Sequence, residues 1–441
     1  MLCAVALSFE PRLIEPDDYA YRASITAITQ GHLLSLSGAQ FQALAAQLAR
    51  SGGGGPGIAQ WVQLPGGRWI SEKDPGFPFL AAPFQLAGLI RLAPLFYAAL
   101  GCLGLFAGGR RWLGRYGGAV AVCLFCSSGA ALLFTWRDYM PTFTDASLIA
   151  AGTGTLLWAV LAVDAAGRRR TWAGLLAFAA LEAAVFVRYT DVVVLGCAVA
   201  AVPAAWRLGT ARLPGAAVAW WLGSVAVTGA GVIAFDTVVY GGPLRSGYRP
   251  GEITFSLGAV LPNLRYLPAH LISAMPVLVL GLAAAAWIAR RRFRPDRTDA
   301  ARRDFAVALA LAASWFCVWG LYAAYTWTAN PDGSTLQVVR FYVPAAGAIS
   351  LLSAWLVVNL PRRASLAAVT SAAVIAALFG LGAWSFNDMH EFTLVTVSCR
   401  AVPGPGAPPG QQVRYTSGTT HQTRPGAPPE PCGPPQPRSG P

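Results

Sequence analysis

Ten stretches of this chain are almost wholly apolar: 92–108, 117–135, 146–164, 172–187, 192–206, 214–236, 270–289, 305–324, 341–359 and 365–384. A helix needs about 20 largely apolar residues to cross a bilayer. The pattern therefore predicts an all-α membrane protein of ten transmembrane helices. An eleventh follows if the apolar residues 1–9 are the end of a first helix whose beginning is lost upstream. Those nine residues are too short to span and lack the basic flank of a signal peptide.

The polar positions between the runs set the expected orientation. Arg110, Arg111 and Arg115 follow the first run, Arg168 to Arg170 the third, and Arg207 and Arg212 the fifth. A dense group from Arg290 to Arg303 follows the seventh, and Arg362 and Arg363 the ninth. Every second connection is thus rich in Arg, as the retention of basic loops on the cytoplasmic side requires. The segment 10–91 then becomes one large outward loop, and 92–384 the transmembrane domain. The first half of that loop has helical apolar spacing and is expected to lie along the membrane surface. SGGGGPG at 51–57 reads as a hinge. The Pro- and Gly-rich tail, 385–441, reads as disordered and outside the membrane.

Composition agrees with this picture and removes one function class. Only 12% of residues are charged and mean hydropathy is +0.49, whereas a soluble domain carries about 25% charged residues. The net charge of +13 would suit a nucleic-acid partner in a soluble protein, but here the Arg of the alternate loops account for it. Of the 33 basic residues, Lys73 is the single Lys.

Charge inside the apolar runs is scarce, with Glu182 the one acid clearly within a span, so conduction through the bilayer is not indicated. The acids gather instead in the outward loops. Glu15-Pro16-Asp17-Asp18-Tyr19-Ala20-Tyr21 places two adjacent carboxylates at a membrane boundary. One of their pKa values should rise unless a cation compensates, and a carboxylate there can serve as a general base. The same residues would equally suit a solvated start to a surface helix. Further along, Glu72-Lys73-Asp74-Pro75-Gly76 precedes an apolar, Pro-interrupted stretch. A Lys at that bend can meet a phosphate at headgroup level, or simply anchor a helix end by snorkelling.

Taken in order, these motifs resemble those of the GT-C glycosyltransferases, a superfamily that includes the protein mannosyltransferases and the lipid A aminoarabinose transferases. The acid pair followed by x-x-Tyr opens the first outer loop, and Glu72-Lys73-x-Pro resembles the loop that meets the lipid phosphate. Tyr240-Gly241-Gly242-Pro243-Leu244-Arg245-Ser246-Gly247-Tyr248 and Arg340-Phe341-Tyr342-Val343-Pro344 are weaker matches. The resemblance implies transfer of a sugar from a polyprenyl-phosphate donor to a lipid, glycan or protein acceptor, with inversion, at the outer face of a bacterial inner membrane. It implies Asp17 as catalytic base, with Asp18 as runner-up or positioning group. Lys73 and Arg340 would bind the donor phosphate. Glu72, Tyr21, Tyr248, Arg188 and His270 are weaker candidates for substrate contacts. A divalent metal is possible near the acid pair, with Glu72 as a contributor, although the loop lacks a His–acid set. A lipid or polysaccharide flippase and a non-catalytic assembly subunit are the competing readings.

Other polar residues carry blander expectations. Arg188 and Asp191 would pair across their turn, and Asp138 and Asp145 would be solvated at an interface. His32 would be structural. Cys3, Cys102, Cys123, Cys126, Cys197 and Cys317 would act as small hydrophobes, and Cys399 and Cys432 of the tail would be able to pair if it faces an oxidising compartment.

Overall fold

A computed structural model of the protein describes residues 1–8, 13, 16–51, 58–64, 66–162, 167–207, 215–248, 253–292, 299–329, 339–360 and 364–395. Glu15, most of the 51–57 hinge, Cys399, Cys432 and the tail beyond 395 lie outside them.

The chain is overwhelmingly helical. A short helix α1 (Leu2–Ser8) precedes the loop helices α2 (Pro16–Thr29), α3 (Gly38–Ser51) and α4 (Gly76–Leu86). There follow α5 (Ala93–Cys126), α6 (Gly129–Trp136), α7 (Thr142–Leu161), α8 (Gly167–Val187), α9 (Val192–Arg207) and α10 (Gly215–Tyr240). The chain continues through α11 (Val260–Ala274), α12 (Val277–Arg292), α13 (Asp299–Ala323), α14 (Ala346–Asn359) and α15 (Ala364–Val395). Among the described residues six helices are long and apolar enough to cross a membrane, or seven if the bent pair α11–α12 forms one crossing. This is a multi-pass membrane protein.

Each of the ten apolar runs falls on these helices, and the smaller number of long ones has local causes. α5 carries two runs because it turns back at Gly114, whose φ of 81° is open to glycine. The returning arm lies so close that Gly118 abuts Phe106 and Arg110. The helix pair α11–α12 bends by 105°, and α9 and α14 are shorter apolar helices. α15 continues past the expected end at 384 to Val395, since FNDMHEFTLV contains neither Gly nor Pro to stop it.

Small residues let the central helices meet. Gly104 and Gly108 of α5 face Ala151 and Gly154 of α7 at backbone distance, the packing that serves where lipid supplies no hydrophobic drive. Large apolar side chains point outward, among them Leu103, Leu176, Trp220 and Val227. Glu182 on α8 accepts from the hydroxyls of Ser224 (3.0 Å) and Thr228 (2.7 Å) on α10, so this intramembrane acid clamps two helices.

One end of the bundle gathers the Arg-rich turns. Arg111 donates to the Leu161 carbonyl and Arg170 to that of Ala159. Trp112 and Trp355 both donate to Asp304 there. The opposite end carries the 10–91 segment, which differs from expectation in two ways. α2 does not lie open on a surface; Ala20, Ala23, Ile25 and Ala27 are buried, and it packs on α4. A three-stranded antiparallel sheet also forms, β1 (Ser35–Leu36), β2 (Trp61–Gln63) and β3 (Trp69–Ser71), in the order β1-β3-β2. Phe41 of α3 stacks on Trp69 at 4.0 Å and covers one face. Between α2 and β1, Gly31 takes φ 83° and the His32 amide bonds back to Ala27, a helix cap that gives His32 its structural role.

Candidate active site

The sheet and α2 deliver the two central residues from opposite sides. β3 ends at Ser71, whose Oγ accepts from the Lys73 amide at 3.1 Å, and Pro75 then opens α4. The bend between them holds Lys73 inward, 7% exposed. Asp17 stands in the first turn of α2. The two meet at 2.8 Å between Lys73 Nζ and Asp17 Oδ1. The other oxygen, Oδ2, lies 2.9 Å from Nη1 of Arg340, which arrives from the segment before α14. Gln60, held at a strained φ of 55° just before β2, adds a side-chain hydrogen bond to the same carboxylate.

Asp17 is therefore a carboxylate with a cation on each oxygen. Burial would raise its pKa, but Lys73 and Arg340 outweigh that and hold it well below the usual carboxylate range. Lys73 moves the other way: burial would lower it, yet Asp17 keeps it raised and firmly charged.

Of the weaker candidates, Tyr248 joins this centre. Its hydroxyl accepts from Lys73 Nζ at 3.0 Å, and its ring lies 5.1 Å from the same ammonium. Gly247 makes that possible, because a Cβ there would collide with the backbone of Ser71 and Glu72. Gly247→Ala should displace Tyr248 and cost roughly tenfold or more in kcat/KM, together with a lower unfolding temperature, since the backbone it meets must shift and misplacement by about 1 Å is expensive in such sites. Steady-state kinetics beside a thermal unfolding scan reads both. Tyr21 forms the floor, 6% exposed, edge-to-face with Phe77. Glu72 is buried, with its amide bonded to the Gln60 carbonyl. His270 lies half-buried on α11, which packs against α12 and the turn at Trp327–Ala329.

Arg340 is flanked by Trp327 and Phe341, whose ring centres lie 5.3 and 4.9 Å from its guanidinium carbon. Arg188 supports it by donating to the Arg340 carbonyl at 3.3 Å. The expected Arg188–Asp191 pair does not form: Arg188 Nε instead faces Asp145 at 3.6 Å, and Asp191 turns to Asp145 as well. Asp138 and Asp145 are not solvated, at 2% and 0% exposure, because the segment after α6 folds beneath α2 rather than along an interface.

Asp18 does not share the site. One residue along a helix rotates a side chain by about 100°, and Asp18 points away to a buried ion pair with Arg137. The cation that each acid of the pair requires is thus supplied separately, Lys73 and Arg340 for Asp17 and Arg137 for Asp18. Gln60, Asp74 and Arg137 were not singled out by their surroundings in the sequence, and Asp145 was read only as a solvated acid. Asp74 held the unspecified position of the Glu72-Lys73-x-Pro motif. It accepts from the Tyr189 amide at 3.4 Å, and burial pushes its carboxyl up to about 7, against Tyr189, Lys73 and Arg188.

Asp138 is pushed up to about 7 as well, by burial against Arg91. Neither of its oxygens has a hydrogen-bond partner among the described residues. A raised carboxyl keeps its proton in the folded state after the unfolded chain has lost it. Stability from this group is therefore full below about 4 and is lost as pH rises towards 7. Asp138→Asn should flatten that loss, raising the unfolding temperature at pH 8 with little change at pH 4. A larger gain at pH 4 would contradict the burial of an uncompensated carboxyl.

A divalent metal finds no set of ligands here. Among the described residues no three His, Cys, Asp or Glu converge, and both oxygens of Asp17 face cations. The donor set does not fit a metal, and no step below uses one.

No protein-family model and no curated protein matches the sequence. Solved structures do. ArnT from Cupriavidus metallidurans in the apo state superposes with a TM-score of 0.53 at 14% identity, covering 85% of this chain and 61% of ArnT. The same protein bound to undecaprenyl phosphate gives a TM-score of 0.54 at 14% identity, covering 90% and 70%. The chain spans about 61% of the length of the first of these. The fold is GT-C-like, as the order of the sequence motifs implied.

Proposed function

We propose that the protein is a GT-C-type glycosyltransferase that moves a sugar from a polyprenyl-phosphate donor to an acceptor, with inversion. The observation that carries this reading is Asp17 set between Lys73 and Arg340 at one end of the helical bundle. One candidate base and two fixed cations are what a single displacement from a lipid phosphate needs. The base takes the acceptor's proton, and the cations stabilise charge that develops on the departing phosphate. A GT-C-like neighbour that holds undecaprenyl phosphate supports the choice of donor class.

The two cations have distinct roles. Lys73 is a compact charge held by Tyr248, suited to one phosphate oxygen. Arg340 is a planar fork beside the rings of Trp327 and Phe341, with its backbone anchored by Arg188. The Arg alternation along the sequence supports a site at the outer face of a bacterial inner membrane. The acceptor, whether lipid, glycan or protein, approaches from there. A flippase reading gains nothing from Glu182, which is taken up by Ser224 and Thr228 rather than lining a path.

Membranes carrying the protein, given a pool of polyprenyl-phosphate sugars, should release free polyprenyl phosphate when acceptor is present. Release that is equal with and without the protein would refute the reading.

A further inference from the structure

We propose that Asp17 is the resting occupant of the donor-phosphate site, so that the donor must displace its base from Lys73 and Arg340 before that base can act. The proposal rests on the glycosyl-transfer reading above and concerns the order of events within the same site.

Three observations lead to it. Each oxygen of Asp17 is held by a different cation, at 2.8 and 2.9 Å, and Gln60 adds a further bond. A carboxylate engaged in this way has no free lone pair of ordinary basicity to receive an acceptor's proton. Second, carboxylate and phosphate are both oxyanions and take the same donors. Lys73 and Arg340 cannot give their charge-assisted hydrogen bonds to both in full. Third, the cations are held independently of Asp17. Tyr248 accepts from Lys73, and Arg188 fixes the Arg340 carbonyl, so the pair remains in place when its anion changes.

The exchange follows. Donor phosphate takes Lys73 and Arg340, and Asp17 loses both partners while gaining a negative neighbour. Each change makes it a stronger base. The acceptor's O–H or N–H proton then passes to an Asp17 oxygen, and the freed electron pair forms the bond to the anomeric carbon. The anomeric C–O bond breaks with its electrons going to the phosphate oxygen, giving polyprenyl phosphate. Once Asp17 gives its proton to water it competes again for the two cations and expels that product. Donor binding and base activation are one event, and an acceptor that arrives first meets an inert carboxylate.

The test is phosphate affinity without turnover. Undecaprenyl phosphate, with undecaprenol as control, is titrated into wild-type protein and Asp17→Asn in nanodiscs. Removing an internal competitor frees the whole binding-competent fraction, so Asp17→Asn should bind undecaprenyl phosphate roughly tenfold more tightly. Undecaprenol should bind both alike. Equal or weaker phosphate affinity in Asp17→Asn overturns the proposal while leaving the donor reading intact. Wild-type protein that does not distinguish undecaprenyl phosphate from undecaprenol overturns both.

If Asp17→Asn does not fold, the wild-type chain still decides. The carboxyl carbon of Asp17 can be followed by NMR after selective labelling. Lys73 from the bend after β3, Arg340 from the segment before α14, Gln60 from before β2, Tyr21 of α2 and Tyr248 from the loop after α10 surround it. Its titration midpoint should rise towards the ordinary carboxylate range on adding undecaprenyl phosphate. A midpoint that stays where it was overturns the proposal.

Discussion

Asp17→Asn should lower turnover by roughly 10²–10⁴-fold, the range that a positioned general base contributes, without weakening donor affinity. The amide keeps the shape of the side chain and can still meet Gln60, but it cannot take a proton. It also leaves Lys73 and Arg340 without their resting anion, which favours the phosphate rather than opposing it. Release of polyprenyl phosphate in the presence of acceptor measures the first effect, and binding of undecaprenyl phosphate the second. Asp18→Asn separates catalysis from folding. Its carboxylate serves Arg137 in a buried pair, so its loss should cost about 3–5 kcal/mol of stability. The surviving folded fraction should turn over at the wild-type rate. Turnover that is normal in Asp17→Asn and abolished in folded Asp18→Asn would exchange the roles of the two acids.

The second large effect is expected at Lys73. Lys73→Ala removes a charge that the donor phosphate meets in the ground state and needs more in the transition state, so KM should rise and kcat fall together. A combined loss of roughly 10²–10³-fold in kcat/KM matches the removal of one such stabilising donor. Lys73→Arg should recover only part of it, because the guanidinium is larger than the space between Asp17 and Tyr248 and prefers two-point contact. Full recovery by Arg would mean that charge alone is required there. A kcat and KM both left unchanged would place Lys73 away from the donor phosphate.

What could be read from the sequence is what local pattern encodes. The ten apolar runs were legible as helices because such stretches have few alternatives in lipid, but six or seven of the described helices are long enough to cross, since a turn at Gly114, a 105° bend and two short helices are not marked by apolarity. Asp17, Lys73 and Arg340 were legible as motifs, each through its neighbours. Their convergence on one carboxylate was not, since it joins positions 17, 73 and 340 through tertiary packing that no window of sequence contains. The same limit hid Arg137 as the partner of Asp18, and it led to a short-range pairing of Arg188 with Asp191 where the fold brings Asp145 instead. Asp138 and Asp145 read as solvated because loop acids usually are; burial is decided by what folds over them. The small sheet escaped because its strands are two or three residues long, too short for alternation to register.

The account stands most directly on the lipid that the protein selects. Wild-type protein and Lys73→Ala, purified in parallel from native membranes in mild detergent, can be extracted and their bound lipids weighed by mass spectrometry. A polyprenyl phosphate bearing a single sugar should accompany the wild-type protein and be depleted from Lys73→Ala. If both carry only bulk phospholipids, in the same proportions as the membrane, the protein does not select a lipid-linked sugar and the central claim fails.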